Sequence, residues 1–537
     1  MNNDMVEVPR VVPIQMIQNE MGMLGVVESY KHSPFSYERF YFMTNLARGS
    51  RRGGHAHKTL RQVLICLRGS GTIDVRSTRQ AYTFRLRSCE EALVLPPGYW
   101  RDLYDFSDDA LVGALASANY DEADYIRDWE AYALWDREPG RAPVPYLDLA
   151  RYGTAIGHGV ADAMRRVVFS GQFIGGDEVR RFETAFADYC DTSHAVGVGN
   201  GLQALTLSLR AAGIGCGDEV ILPANSFIAT ALAVIEAGAT PVLVDVEEAT
   251  GLICVTSAGA AITERTAAII PVHLYGHPCD MDGLAEAVDG RDILILEDAC
   301  QAHGALYKGR RCGSLGGAAA FSFYTTKNLG AVGDGGAVTT NDPAFARRVR
   351  LAGNYGSERK YEHIAIGTNS RLDPVQAAAL GVKLPYLESW NATRGIYAEI
   401  YRQELQDLPY LILPHVHHWA SPVWHVFPVR VPTDYRAAFI AHMAREGIGT
   451  NIHYPIPIHL QPCFRAYGWG VGSFPVTEQL AAELVSLPLD PTHTPDEIVR
   501  VVGAVRAFFL GAIETKARPT TQAPARQIVE PAVERGA

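Results

Sequence analysis

Lys327 lies in FSFYTTKNLGAVGDGG, directly after an apolar run and before a glycine-rich turn. A lysine among apolar, aromatic and small neighbours loses hydration, which lowers its pKa and leaves a nucleophilic amine. Asp298 closes a second apolar run, ILILED. A carboxylate there is costly unless it meets a cation, and a protonated pyridine nitrogen is one such partner. In GVGNGLQAL (197–205) an apolar run passes through Gly and Asn into a helix, whose free N–H groups and positive dipole end suit a phosphate. Singly, these could be a surface lysine, a helix cap and a structural turn. Together, in the order phosphate loop, acid, lysine, they describe a site for pyridoxal phosphate.

A second constellation lies in GGHAHKTLRQVLICLRG (53–69), where His55 and His57 are two residues apart and share one face of a strand. A neutral imidazole can take a proton from a carbon beside a ketone, and a nearby cation can stabilise the enolate. Arg101, ending PPGYWR (96–101), would supply the cation. The plain alternative is that the two histidines fill a small barrel. Metal-binding cupins carry a Glu where Gln62 stands and a His where Arg101 stands, and a guanidinium is no metal ligand, so no metal is expected.

The elements that must hold these residues show two textures meeting near residue 140. Before it, short β-like runs alternate with Gly and Pro turns: 63–67, 72–76, 82–86, 91–98 and 110–117. Such spacing predicts a small all-β sandwich or barrel. Residues 120–135 read as a closing segment with some helix, and REPGRAPVP (137–145) as a linker. Beyond it, apolar strands at 194–199, 219–223, 241–246, 267–273, 292–298, 318–323 and 336–340 alternate with helices, as in a parallel sheet covered on both faces. Between the first two, Leu202, Leu205 and Leu209 share a helical face, with Asn200 as N-cap and Gly213 as stop. From about residue 395 the pattern loosens into a smaller α+β region, and 513–537, rich in Pro, Ala and charge, reads as a disordered tail.

The chain has 537 residues, 47% hydrophobic and 20% charged, with a net charge of −11, which predicts a soluble multidomain protein without nucleic-acid or membrane partners. Nine scattered cysteines form no CxxC pair, and the N-terminus lacks a signal-peptide pattern, so a cytoplasmic location is expected.

From about Pro145 to Gly511 the sequence resembles the DegT/DnrJ/EryC1/StrS sugar aminotransferases of the fold-type I pyridoxal phosphate class. The matching motifs include GQFIGGDEVRRFE, VGNGLQAL, PANSFIAT, VHLYGHPCDMD, ILEDACQAHGA, FSFYTTKNLGAVGDGG, GTNSRLDPVQAA and HYPIPIHLQ. By this resemblance Lys327 would bond the cofactor aldehyde and shuttle the proton. Asp298 would keep the pyridine nitrogen protonated, and Gln301 would lie by O3′. Ser322 and the backbone at Gly201 and Leu202 would take the phosphate. Asn369 would reach the phosphate of a neighbouring subunit, which implies a homodimer. Phe227, Tyr324, Tyr454 and His459 are candidates for ring stacking or substrate contact, with core packing the alternative for the aromatics. A dehydrating subgroup carries a histidine in place of the lysine; Lys327 favours amino transfer.

Residues 6–136 resemble the cupin sugar 3,4-ketoisomerases of the FdtA/QdtA type, related to WxcM-like domains, through ERFYFMTN, RGGHAHK, RQVLICLRGSG, PPGYWRDLYDFS and ASANYDEADYIRDWEAY. This places His55 and His57 in an active site, with His57 the better general acid/base and Tyr41 and Trp100 as neighbours. At 74–81, DVRSTRQA departs from the pattern and leaves one hairpin open. The expected architecture is an all-β cupin (jelly roll), a linker at 137–145, an α/β fold-type I domain at 146–395 and a smaller α+β subdomain at 396–512. The two resemblances imply a bifunctional enzyme that isomerises a dTDP-4-keto-6-deoxyhexose and aminates the 3-keto product, with L-glutamate as donor. The alternative is an aminotransferase alone, its cupin being a sugar-nucleotide-binding module or an epimerase.

Overall fold

In the computed structural model, residues 9–517 are described except 20–21, 29–34, 36, 47–48, 79, 88 and 138–142. The chain divides into two compact units, Met1–Ala142 and Pro143–Ala537.

The first unit is built from strands β1 (Arg10–Pro13), β2 (Gln15–Asn19), β3 (Gly22–Val26), β4 (Arg39–Met43), β5 (Arg52–His57), β6 (Gln62–Arg68), β7 (Ser70–Arg76), β8 (Ala81–Arg87), β9 (Glu91–Leu95), β10 (Trp100–Tyr104), β11 (Leu111–Ala116) and β12 (Tyr125–Ile126). They form two antiparallel five-stranded sheets, ordered β1-β9-β6-β11-β4 and β12-β5-β10-β7-β8, the two layers of a jelly roll. Period-two alternation sorts each strand between two clusters. On β6, Leu64 and Cys66 join Ile73, Val75, Leu93 and Leu103 in the inner core, whereas Val63 and Ile65 pack with Ile14, Ala92 and Val94. The hairpin left open by the sequence does form, with Arg76 opposite Ala81. The closing helix α1 (Trp129–Arg137) docks through Tyr132, whose hydroxyl donates to the carbonyl of Gly98 at 2.9 Å.

The second unit centres on a seven-stranded sheet. Its elements in chain order are α2 (Leu149–Ser170), α3 (Asp177–Tyr189), β13 (His194–Val198), α4 (Gly201–Ala211), β14 (Glu219–Pro223), α5 (Ala229–Ala237), β15 (Thr240–Val244), β16 (Thr266–Ile269), β17 (Leu294–Asp298), a ribbon of β18 (Leu306–Tyr307) and β19 (Arg310–Arg311), then β20 (Ala318–Ser322) and β21 (Gly336–Thr340). The sheet order is β13-β21-β20-β17-β16-β14-β15. The expectation of a wholly parallel sheet needs correcting, because β21 runs antiparallel to both neighbours. A parallel return needs a crossover, usually helical. The chain between Ser322 and Gly336 instead spends its length on the turn that carries Lys327, and comes straight back.

Asn200 caps α4 by accepting from the Gln203 N–H, and Gly213 follows the helix at φ 81°. The helix is more enclosed than a single apolar face requires, with Ala204, Leu205, Thr206, Leu207, Ser208 and Leu209 all buried. The α+β region pairs Phe427–Arg430 with Leu484–Leu487 beneath helices 387–405, 433–445 and 495–517, around Tyr401, Phe427, Phe439 and Val501. The last helix runs to Ala517, so helix occupies 513–517 where a disordered tail was expected. Residues 518–537, most of the linker (138–142) and residues 6–8 lie outside the described residues.

Candidate active sites

The aminotransferase-like site sits at the C-terminal ends of β13, β17 and β20, where open α/β sheets bind ligands. Asp298 ends β17 and is buried. One carboxylate oxygen accepts from the Thr230 hydroxyl at 2.8 Å, the other from the Cys300 N–H at 3.2 Å. Gly201 opens α4 against β20 so closely that a Cβ there would lie 2.7 Å from that of Ser322. Only glycine lets these helix N–H groups and the Ser322 hydroxyl approach one anion together. The Gln301 side chain is fixed at both ends. Its oxygen accepts from the Tyr275 N–H at 2.7 Å, and its nitrogen donates to the Tyr454 hydroxyl at 3.0 Å. Phe227, half exposed, meets the Tyr454 ring at 5.5 Å.

Lys327 is partly buried, and burial pushes its ammonium below the usual lysine range, partly offset by Cys300 and Asp298. Three histidines feel its charge. Burial first, then Lys327, lowers His303 to about 3 and His453 to about 4, and holds His425 well below its usual value. They are therefore neutral near pH 7. Sequence reasoning missed these histidines, as it missed Thr230, although Thr230 lies within the quoted PANSFIAT.

Tyr324 and Asn369 are exposed, and Asn369 forms a backbone bridge with Asn354. His459 is not brought to this group. The short turn Ile458–Leu460 folds its ring inward, where Nε2 lies 3.0 Å from Glu478 and Phe474 packs edge-on, so the expected substrate contact is corrected to a packing role.

The arrangement suits pyridoxal phosphate. Asp298 is buried with neutral hydrogen-bond donors and no ion pair among the described residues, and a protonated ring nitrogen supplies the cation it lacks. Among the described residues, the buried trio His273, Glu297 and Cys312 has metal-ligand chemistry. There Glu297 already accepts from His273 and from the N–H groups of Gly313, Leu315 and Gly316, which makes it a clamp on that loop.

The cupin holds a cavity of about 330 Å³. His55 lines it, along with Tyr41, Gln62, Tyr120, Tyr125 and four arginines: Arg39, Arg52, Arg101 and Arg127. Arg101 is 2% exposed, and none of its three guanidinium nitrogens has a hydrogen-bond partner among the described residues. Burial lowers it to about 10, so it remains charged at neutral pH. Gln62 donates to the Tyr41 hydroxyl at 2.6 Å.

Burial, then Arg101, lowers His55 to about 4 and His57 to about 3, so both are neutral bases at pH 7. The Nδ1–H of His55 donates to the Gly53 carbonyl at 2.9 Å, which leaves Nε2 as its lone-pair nitrogen. His57 is fully buried, 5.0 Å from His55 ring to ring, with Nδ1 2.9 Å from Asp124 and no partner at Nε2.

Trp100 is corrected. Alternation along β10 turns Arg101 into the barrel and Trp100 outward, against Trp129 at 5.3 Å and Tyr132 at 5.5 Å. Asp124, Tyr125 and Arg127 were missed because 120–135 read only as a closing segment. Its short strand β12 pairs Tyr125 directly with His57.

Fold and geometry together define a fold-type I pyridoxal phosphate enzyme preceded by a cupin. The family description "DegT/DnrJ/EryC1/StrS aminotransferase family" matches residues 155–506, and "WxcM-like, C-terminal" matches residues 7–136. The chain belongs to the DegT/DnrJ/EryC1/StrS aminotransferase family and is a pyridoxal-phosphate-dependent sugar aminotransferase. It is 47% identical to the dTDP-3-amino-3,4,6-trideoxy-alpha-D-glucose transaminase of Streptomyces venezuelae, over 68% of this chain and 96% of that protein. To the dTDP-3-amino-3,6-dideoxy-alpha-D-galactopyranose transaminase of Aneurinibacillus thermoaerophilus it is also 47% identical, over 68% and 99%. The crystal structure of DesV from S. venezuelae superposes with a TM-score of 0.67 at 47% identity, covering 68% of this chain and 98% of DesV. Among the described residues no helix is long and apolar enough to cross a membrane.

Proposed function

We propose that the chain is bifunctional: its cupin moves the ketone of a dTDP-4-keto-6-deoxyhexose from C4 to C3, and its larger unit then aminates C3 with L-glutamate as donor. The observation that carries the first half is the cavity itself. Neutral His55 and the buried Arg101 guanidinium, without a partner among the described residues, line a cationic cavity that four arginines suit to a nucleoside diphosphate, and the second neutral imidazole, His57, lies 5.0 Å from His55 ring to ring. One imidazole removes the C3 proton while Arg101 and Tyr41 stabilise the charge gathering on the C4 oxygen. The enediol then loses the proton on its C3 oxygen and gains one at C4, so the ketone has moved with no net change in atoms. The second half is supported by the relatives' named products, both 3-amino sugars.

When bound, pyridoxal phosphate supplies an electron sink for the carbon losing its proton. Lys327 holds and returns that proton, and Asp298 keeps the ring nitrogen protonated. Gln301 would sit beside the ring oxygen, Ser322 with the Gly201 and Leu202 N–H groups would hold the phosphate, and Phe227, Tyr324 and Tyr454 would wall the substrate. Asn369, exposed in the single chain, would reach the phosphate of a second copy, which makes a homodimer the working form of this reading. A cytoplasmic location goes with this chemistry.

The test is to incubate the protein with pyridoxal phosphate, dTDP-4-keto-6-deoxyglucose and L-glutamate, then locate the amine by NMR. An amine on C3 supports both halves. An amine on C4 keeps the aminotransferase and rejects the ketoisomerase.

A further inference from the structure

We infer that Asp124 is a positioning residue for the cupin's base, holding His57 as its Nδ1–H tautomer with the lone pair on Nε2. The inference rests on the ketoisomerase reading of the cavity. Asp124 comes from the segment after the barrel, and its carboxylate is fixed before it meets the ring. One oxygen accepts from the N–H and hydroxyl of Thr59, both at 2.7 Å, and the other from the Leu60 N–H at 3.3 Å and His57 Nδ1 at 2.9 Å. Burial would raise this carboxyl, but the Thr59 donors and His57 bring it below its usual value, so it is ionised and acceptor-only. An acceptor-only partner puts the ring proton on Nδ1, because the bond made by one imidazole nitrogen sets the state of the other. His57 Nε2 is buried with no partner. Tyr125, next in sequence to Asp124, meets the His57 ring edge-on at 4.2 Å and limits its rotation. His55 has the same tautomer, held by a backbone carbonyl. The two rings thus present the same kind of nitrogen, one set by the main chain and the other by a side chain that substitution can change.

Asp124→Asn separates positioning from fastening. The amide oxygen can still accept from Thr59, while the amide nitrogen facing His57 donates and moves the ring proton to Nε2. The full chain is assayed in D₂O with dTDP-4-keto-6-deoxyglucose and no glutamate, following deuterium uptake at C3. For Asp124→Asn, kcat should fall about 100-fold or more, with KM changed by no more than about twofold. Transamination of a supplied 3-keto sugar, unchanged in the same preparation, shows that the larger unit is folded, and the retained KM for exchange shows that the cupin is. An unchanged kcat, or a loss confined to KM, overturns the inference when His57→Ala abolishes uptake. No uptake in the wild-type chain overturns the ketoisomerase reading and the inference with it, whereas full uptake in His57→Ala leaves His55 as the base and overturns the inference alone. Should Asp124→Asn fail to fold, ¹⁵N-histidine NMR of the wild-type chain decides, with the His57→Ala spectrum assigning the signals. A protonated Nδ1 on His57 supports the assignment and a protonated Nε2 overturns it.

Discussion

The two sites prepare a base in opposite ways. In the larger unit, three strand ends of one sheet converge, burial lowers the Lys327 amine, and the buried carboxylate of Asp298 is left for a cofactor's cation to meet. The cupin carries its own cation: Arg101 is buried and unpartnered, and it depresses two histidines that are already neutral through burial. The first site is incomplete without a small molecule, whereas the second has all its charges in the chain. Substitutions should therefore act on one site at a time, and the largest losses should fall where a single atom carries the chemistry.

Lys327→Ala is the sharpest test. It should lower transamination on the order of 10⁴-fold and leave deuterium uptake at C3 unchanged. Steady-state transamination and the NMR exchange assay, run on one preparation, measure both. A parallel loss of exchange would break the comparison, since the two sites would then share a dependence.

Gly201→Ala should come next. The added Cβ would meet Ser322 at 2.7 Å and Cys300 Sγ at 2.9 Å, and overpacking of this kind costs about 1–3 kcal/mol. Part of that cost should appear as weaker pyridoxal phosphate binding, because the strain falls on the helix end to which the proposal assigns the phosphate. Titration of the cofactor's absorbance measures it, and unaltered affinity would mean that α4 can retreat from β20 without loss.

The pH dependence should separate the sites more gently. The exchange base must be neutral, and its pKa is lowered, so activity is retained well below the usual histidine range and lost as pH falls through about 4 for His55 and about 3 for His57. Between pH 6 and 8 the exchange kcat should stay flat within about twofold, with no break near the unperturbed value of about 6.5. A break there would show that an exposed histidine serves instead.

The difference between the sites also explains how much of each was legible. Lys327, Asp298 and Gly201 stand at or just past strand ends within motifs, so reading the strands located them, whereas Ser322 and Gln301 came from the family resemblance; the structure ends β17 at Asp298 and β20 at Ser322. His459 stood in an equally clear motif, but nothing in that stretch says that Glu478 will draw its ring inward. The antiparallel β21 was hidden too, because a five-residue stretch such as GAVTT reads alike in either direction. In the cupin, period two placed His55 with His57. It could not tell which strand would pair with β5, and so Tyr125 on β12, and Asp124 in the turn just before it, stayed out of view.

Arg101 and Trp100 bring that lesson down to one pair of neighbours, and the smallest predicted effect follows from them. Both are buried on β10, at 2% and 5% exposure, so burial alone does not separate function from packing. Direction does. Trp100 faces α1, where its indole N–H donates to Asp102 at 3.1 Å and its ring meets Trp129 and Tyr132. Trp100→Phe removes that hydrogen bond and some volume, which should cost about 1–2 kcal/mol of stability. The exchange kcat should stay within about twofold at temperatures where the cupin remains folded, with thermal unfolding measured alongside. A large kcat loss without a lowered melting temperature would put Trp100 back among the substrate's neighbours, against the alternation of the strand.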